Sequence, residues 1–216
     1  MDKWLKKMWG NRPAWCILLF VLAFCGYYLQ LIRMFENGYK VGEVTFFSMM
    51  ILCMIGFFYG AVPGFISSFL FGLLLYLIDT RLHVSPTKMS EMLDYLLGYS
   101  MLGFCGVFSP VAGIKAKRKE REERDKEVKK STDMRLCFFI AVFLRFAESV
   151  WDWSFFRDVP VSFLSDLQYG IVNCIGYIGM ELVLSLIFLS LPPVKDAISF
   201  LVTVATTKHT EKYDFF

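Results

Sequence analysis

Thirty-five consecutive residues, Val44 to Ile78, contain no Asp, Glu, Lys or Arg. A helix needs roughly 20 apolar residues to cross a bilayer, so this run is too long for one crossing. It is interrupted by Gly60-Ala61-Val62-Pro63-Gly64, a sequence suited to a tight turn between two helices. Further charge-free runs cover Ala14 to Ile32 and Tyr95 to Ile114. Composition agrees: 56% of residues are hydrophobic and 20% charged, against about half and about a quarter in soluble domains.

Two more apolar stretches, from about Leu136 to Trp153 and from about Leu167 to Leu191, carry isolated charges. The expected fold is therefore an all-α integral membrane protein, a bundle of six transmembrane helices forming a single domain over residues 1–216. The spans are expected near 14–33, 43–59, 64–79, 90–111, 136–153 and 167–191. The first is read as a retained helix. Its apolar run exceeds the roughly 7–15 residues of a signal-peptide core, and no small-x-small cleavage site ends it.

Basic residues gather on one side of these spans. Lys3, Lys6, Lys7 and Arg12 precede the first span. Ten Lys and Arg residues, from Lys115 to Arg135, fill the loop after the fourth, and Lys195, Lys208 and Lys212 follow the sixth. The opposite loops hold Arg33, Lys40, Arg81, Lys88 and Arg157. The positive-inside rule then predicts both termini in the cytoplasm, in keeping with an even number of spans. The charged loop 115–135 mixes signs, through Glu120, Glu122, Glu123, Asp125 and Glu127. Such a segment suits the surface of an anionic bilayer or recruitment of a cytoplasmic partner, and the acids argue against nucleic acid.

Enzymatic and metal chemistry find little support. Cys16, Cys25, Cys53, Cys105, Cys137 and Cys174 all lie in apolar stretches with no CxxC spacing, as expected of small buried hydrophobes. His83 and His209 fall on opposite sides of the predicted membrane, and neither GxSxG nor a phosphate-cradling glycine loop occurs. Neither an enzyme nor a cofactor is expected, and no metal site.

An ionisable group inside a bilayer is costly and marks a functional candidate. Arg145, Glu148 and Asp152 are spaced three and four apart, on one helical face, with Trp151 and Trp153 nearby. Tyr169, Asn173, Tyr177 and Glu181 recur every four residues in the sixth span, which begins near Gln168. Asp94 and Tyr95 open the fourth. Three helices thus bring carboxylates, aromatics and amides to one depth on the outer side. That composition suits a small aromatic cation: ring faces attract the charge, a carboxylate neutralises it, and amides read polar ring edges. An ion cluster with an interfacial aromatic belt, or hydrogen bonding between helices, would account for the same residues structurally.

In this order the motifs resemble the thiamine-specific substrate-binding (S) components of energy-coupling factor vitamin transporters, from about Met34 to Pro193. Four stretches carry the likeness: Ile32-Arg-Met-Phe-Glu-Asn-Gly; Gly56-Phe-Phe-Tyr-Gly-Ala-Val-Pro-Gly with Phe71-Gly-Leu-Leu; Ser85-Pro86 with Leu93-Asp94-Tyr95-Leu and Gly103-Phe-Cys-Gly-Val-Phe; and Arg145-Phe with Tyr169-Gly-Ile-Val-Asn173 and Glu181. The resemblance implies a six-helix protein of the plasma membrane that captures thiamine from outside. It would work with a membrane coupling subunit and two cytoplasmic ATPases. It implies Asp94 as the ligand-binding acid, Tyr95 beside it and Asn173 as the amide. Glu148, Ser149, Trp151, Trp153, Gln168 and Tyr169 complete the candidate site.

The chain also departs from the family pattern. Ser149 stands where the family has His, and Gln168 where it often has Tyr. The first span lacks a small-x-x-x-small docking pair. Glu148 either compensates for the missing His or marks another cationic heterocycle as ligand. A membrane scaffold acting through the basic loop is the alternative outside transport.

Overall fold

The charge-free run resolves into two helices that meet at one residue. In the structure, a computed structural model, residues 12–29, 32–36, 39–45, 47–82, 92–109, 133–155 and 162–211 are described. Helix α1 is Arg12–Tyr28, and strands β1 (Ile32–Glu36) and β2 (Tyr39–Val44) follow. Then come α2 (Ser48–Tyr59), α3 (Ala61–Leu82), a composite α4 (92–106), α5 (Met134–Phe155), α6 (163–190) and α7 (Pro192–Glu211). The joint between α2 and α3 is Gly60, whose φ of 97° is open to glycine and strained for other residues. The turn expected over residues 60–64 is thus a single residue wide, and α3 begins at Ala61.

Helix α2 is apolar on every side, the pattern of a fully enclosed helix. Ten of its twelve residues are buried, and it packs against α1, α3, the end of α4, α5 and α7. Ser109, just beyond α4, donates a 2.5 Å hydrogen bond to the Phe57 carbonyl and ties the two chain segments together.

Around this centre the usual distribution of polarity is reversed. Ile17, Leu18, Val21 and Leu22 of α1, Val62, Ile66, Phe69 and Leu77 of α3, and Val172, Val183 and Ile187 of α6 lie exposed. Ser48, Ser68, Arg145, Ser149, Asp152, Glu181 and Ser185 are buried. Exposed apolar surface on this scale, with charges turned inward, is what a bilayer requires. Among the described residues, the helices long and apolar enough to cross a membrane include Ala61–Ile78 and Leu164–Ser190. Helix α5 has 22 residues, about 33 Å at 1.5 Å per residue. Its four charged side chains set it apart in composition, not in length. The protein is a helical membrane protein.

Several boundaries depart from expectation. The first span ends at Tyr28 rather than 33, and the second starts at Ser48 rather than 43, because an antiparallel hairpin lies between them. Glu36 pairs with Tyr39 and Ile32 with Val44, with an irregularity at Met34/Phe35. The intervening Asn37-Gly38 is a strong two-residue hairpin signal, so the segment read as a loop was legible as a β-turn sequence. Strand β2 packs beside α6. After Leu191 the chain turns (ψ 133°) and Pro192 opens α7, a position where proline's missing N–H costs nothing. This helix was not anticipated. Asp133 stands just before α5, and its carboxylate accepts from the Arg135 backbone N–H at 3.1 Å. The neighbouring Arg135 guanidinium holds that carboxyl below its ordinary range. Most of the charged loop 115–135, like the N-terminal basic cluster and His83, lies outside the described residues.

Candidate functional site

Helix α4 is not a regular α-helix. Residues Asp94–Gly98 form a π turn, then comes one α turn, then a 3-10 segment, Leu102–Gly106. A π turn carries one residue more than an α turn and widens the backbone. The widened turn is received by Gly72 of α3, where a methyl group would overlap the Tyr95 carbonyl. Glycine at 72 is therefore what lets Asp94 and Tyr95 sit at this point of the bundle.

The opposite side of the same turn faces α5. The Ser149 hydroxyl, fully buried, donates a 2.8 Å hydrogen bond to Asp94 Oδ1. A Cβ placed on Gly98 would stand 2.7 Å from Glu148 Oε2 and 3.4 Å from Asp94 Oδ1. The two carboxylates therefore converge on one glycine, from two helices. Glu148 Oε2 is buried with no hydrogen-bond partner among the described residues. Asp152 is buried one turn further along α5, close enough for its charge to act on Glu148.

Among the described residues, Arg145 is the cation beside these acids. Arg145 is buried, with its guanidinium carbon 3.7 Å from the centre of the Tyr99 ring. That is a cation–π contact. Its Nε and Nη1 find no hydrogen-bond partner among the described residues. The Tyr95 ring lies parallel to Tyr99, with centroids 6.3 Å apart. Helix α6 closes the group from a third side. Asn173 is half-buried, and its Nδ2 is buried without a partner among the described residues. The Tyr177 hydroxyl is 3.5 Å from Cys174 Sγ, and its charge environment includes both Asp94 and Arg145.

Helix α6 also holds a π turn, Ile175–Gly179. Residues four apart drift about 40° per step around an α-helix, or about 120° from Tyr169 to Glu181. The extra residue of the π turn takes back about 100°. This is why Tyr169, Asn173, Tyr177 and Glu181 keep an inward course, with Tyr177 and Glu181 buried and the first two half-buried.

The structure thus gathers Asp94, Tyr95, Glu148, Ser149 and Arg145 in one region, with Tyr169 and Asn173 half-buried on the inward stripe of α6. It does not gather Trp151, which is 62% exposed, nor Gln168, which is exposed. Trp151 lies about 200° around the helix from Ser149, so the buried face cannot include both. The side chain of Trp153 is outside the described residues. Three contributors were missing from the expected site. Tyr99 follows Tyr95 by one helical turn, a spacing visible in the sequence. Arg145 was noticed but given no binding role. Gly98 gave no signal, because its meaning depends on Glu148 across the bundle. Buried polar atoms are nearly always hydrogen-bonded. Four on Arg145, Glu148 and Asn173 have no partner among the described residues, three of them N–H donors and one a carboxylate acceptor.

Comparison with known proteins gives one clear result. The model of the family described as Thiamine transporter protein (Thia_YuaJ) matches residues 17–201, which contain every residue of the candidate site. No curated protein and no solved structure matches the chain.

Proposed function

The chain belongs to the thiamine transporter protein family, and from that premise we propose that it is the S component of an energy-coupling factor importer, capturing thiamine at the outer face of the plasma membrane. The family supports thiamine as substrate and transport as the activity. The finer reading is ours: six membrane crossings, both termini cytoplasmic, and energy supplied through a membrane coupling subunit and two cytoplasmic ATPases. It is supported by the basic residues at positions 3–12 and 115–135 and by the six apolar stretches.

The observation that carries the ligand assignment is the convergence of two carboxylates on Gly98 beside a buried arginine stacked on tyrosine. Thiamine joins a permanently cationic thiazolium to an aminopyrimidine. Asp94 and Glu148 supply the negative charge for the cation and acceptors for the exocyclic amine. Asn173 reads the pyrimidine edge with its unpartnered Nδ2. Tyr95 and Tyr169 offer ring faces, and Arg145 keeps the two acids from repelling one another. Ser149 acts through Asp94, fixing the carboxylate's orientation rather than touching the ligand. Trp153 keeps a proposed stacking role; Trp151 and Gln168 face outward and are left out.

Combining Asp94→Ala with Asn173→Ala removes a charge-assisted and a neutral hydrogen bond. Thiamine affinity should fall about a hundredfold or more. Unchanged affinity in folded double variant sinks the site. A second reading has one specific support: Ser149 stands where the resemblance implies a His, with Glu148 beside it. Under it, a related cationic heterocycle displaces thiamine at lower concentration than thiamine displaces itself.

A further inference from the structure

The sixth helix also carries a buried acid whose hydrogen bonds run to another part of the bundle. Glu181 is 1% exposed. Its Oε1 accepts from the Met49 backbone N–H at 2.9 Å, and Oε2 accepts from the Thr45 hydroxyl, which is itself 2.7 Å from the Ser48 hydroxyl. These partners form the N-terminus of α2. The first N–H groups of any helix lack intrahelical partners and carry the positive end of its dipole. Phe47, the residue before α2, provides no side-chain cap. Glu181 therefore caps α2 from another helix, 132 residues further along the chain.

The junction it caps is under strain. Phe47 has φ 56°, the left-handed region that a bulky side chain rarely enters. Such a conformation persists where the surroundings over-determine it. Here they do so through α6 twice: Glu181 holds Thr45 and Met49, and Phe188, about two turns on, places its ring 4.9 Å from that of Phe47. Immediately before the junction runs β2, which packs against both the segment bearing Asn173 and the π turn 175–179.

We infer that Glu181 is a positioning residue for ligand capture: by clamping the strained turn between β2 and α2 to α6, it fixes the hairpin against the helix that carries Asn173. The inference rests on the thiamine-capture reading. Glu181 touches no ligand in it. Its effect is on how long the hairpin stays seated, and so on how slowly ligand leaves.

The test has two arms, both on purified full-length protein in detergent. The first is backbone hydrogen exchange without ligand. Glu181→Ala should speed exchange across residues 39–52 while leaving 140–155 unchanged. Glu181→Gln, which keeps an acceptor for the Met49 amide, should recover most of the protection. Thr45→Val, which leaves the acid in place, serves should Glu181→Ala fail to fold. The second arm is stopped-flow dissociation of thiamine. Glu181→Ala or Thr45→Val should raise the dissociation rate about tenfold, the loss of one charge-assisted hydrogen bond, with association nearly constant.

Faster exchange with an unchanged dissociation rate would reduce Glu181 to a structural cap and overturn the inference. Unchanged exchange would overturn it at its root. If the unaltered protein binds no thiamine, the capture reading fails, and the exchange arm still decides whether Glu181 clamps the junction.

Discussion

Replacing Gly98 by alanine sets a methyl group against the second carboxylate of the site while leaving the helix packing alone. The new Cβ would lie 2.7 Å from Glu148 Oε2, where ordinary contact begins at 3.4 Å. The carboxylate must therefore retreat by about 0.7 Å. It sits at the free end of a flexible side chain, so the fold absorbs the change by rotation of that side chain. Alanine also gains up to about 1 kcal/mol of helix propensity over glycine. Stability should thus change by less than about 1 kcal/mol in either direction. The ligand should not be so tolerant. A carboxylate displaced by a large fraction of an ångström loses most of one charge-assisted hydrogen bond, about 1.5–3 kcal/mol, or about tenfold to a hundredfold in Kd. Isothermal titration with thiamine, paired with thermal unfolding of the same detergent sample, separates the two quantities. An unchanged Kd with an unchanged Tm would show that Glu148 does not contact the ligand. A fall in Tm matching the loss of binding would show that Gly98 serves packing and not the site.

Gly72→Ala should behave in the opposite manner. Its methyl meets the Tyr95 carbonyl, which is backbone and cannot swing away, so a loss of stability of about 1–3 kcal/mol or more is expected by thermal unfolding. Ser149→Ala removes the 2.8 Å bond that orients Asp94 and should weaken thiamine about threefold to tenfold, an effect worth about 1 kcal/mol. Ser149→Thr should restore most of that affinity, and a full loss in both variants would assign Ser149 to the ligand itself.

How far the structure was legible in the sequence depended on the range of the interaction involved. The apolar runs are long, and a bilayer imposes one composition on every crossing helix, so α1 to α6 could be located within about five residues, while α7 went unanticipated. The inward stripe of α6 was equally open, because polar residues recur at a helical spacing. Local signals were readable but missed in two places. Asn37-Gly38 announces the hairpin, and the rotation between Ser149 and Trp151 already separates their faces. What could not be read are features set by partners far along the chain. The π turn at Asp94 depends on the absence of a side chain at Gly72, and no residue within the turn encodes it. Glu181 is visibly an acid in an apolar helix, yet its role as a cap for α2 follows from Thr45 and Met49 being brought to it by the fold. Gly98 matters only because Glu148 leans over it.

The most direct test of the account is a calorimetric titration of the purified, folded protein with thiamine, repeated on the Asp94→Ala plus Asn173→Ala variant. Calorimetry suits the protein better than tryptophan quenching, since Trp151 points away from the buried face. The account predicts saturable one-to-one binding in the submicromolar range that weakens about a hundredfold or more in the variant. A flat titration of the unaltered protein, or affinity unchanged by the two substitutions, would contradict it.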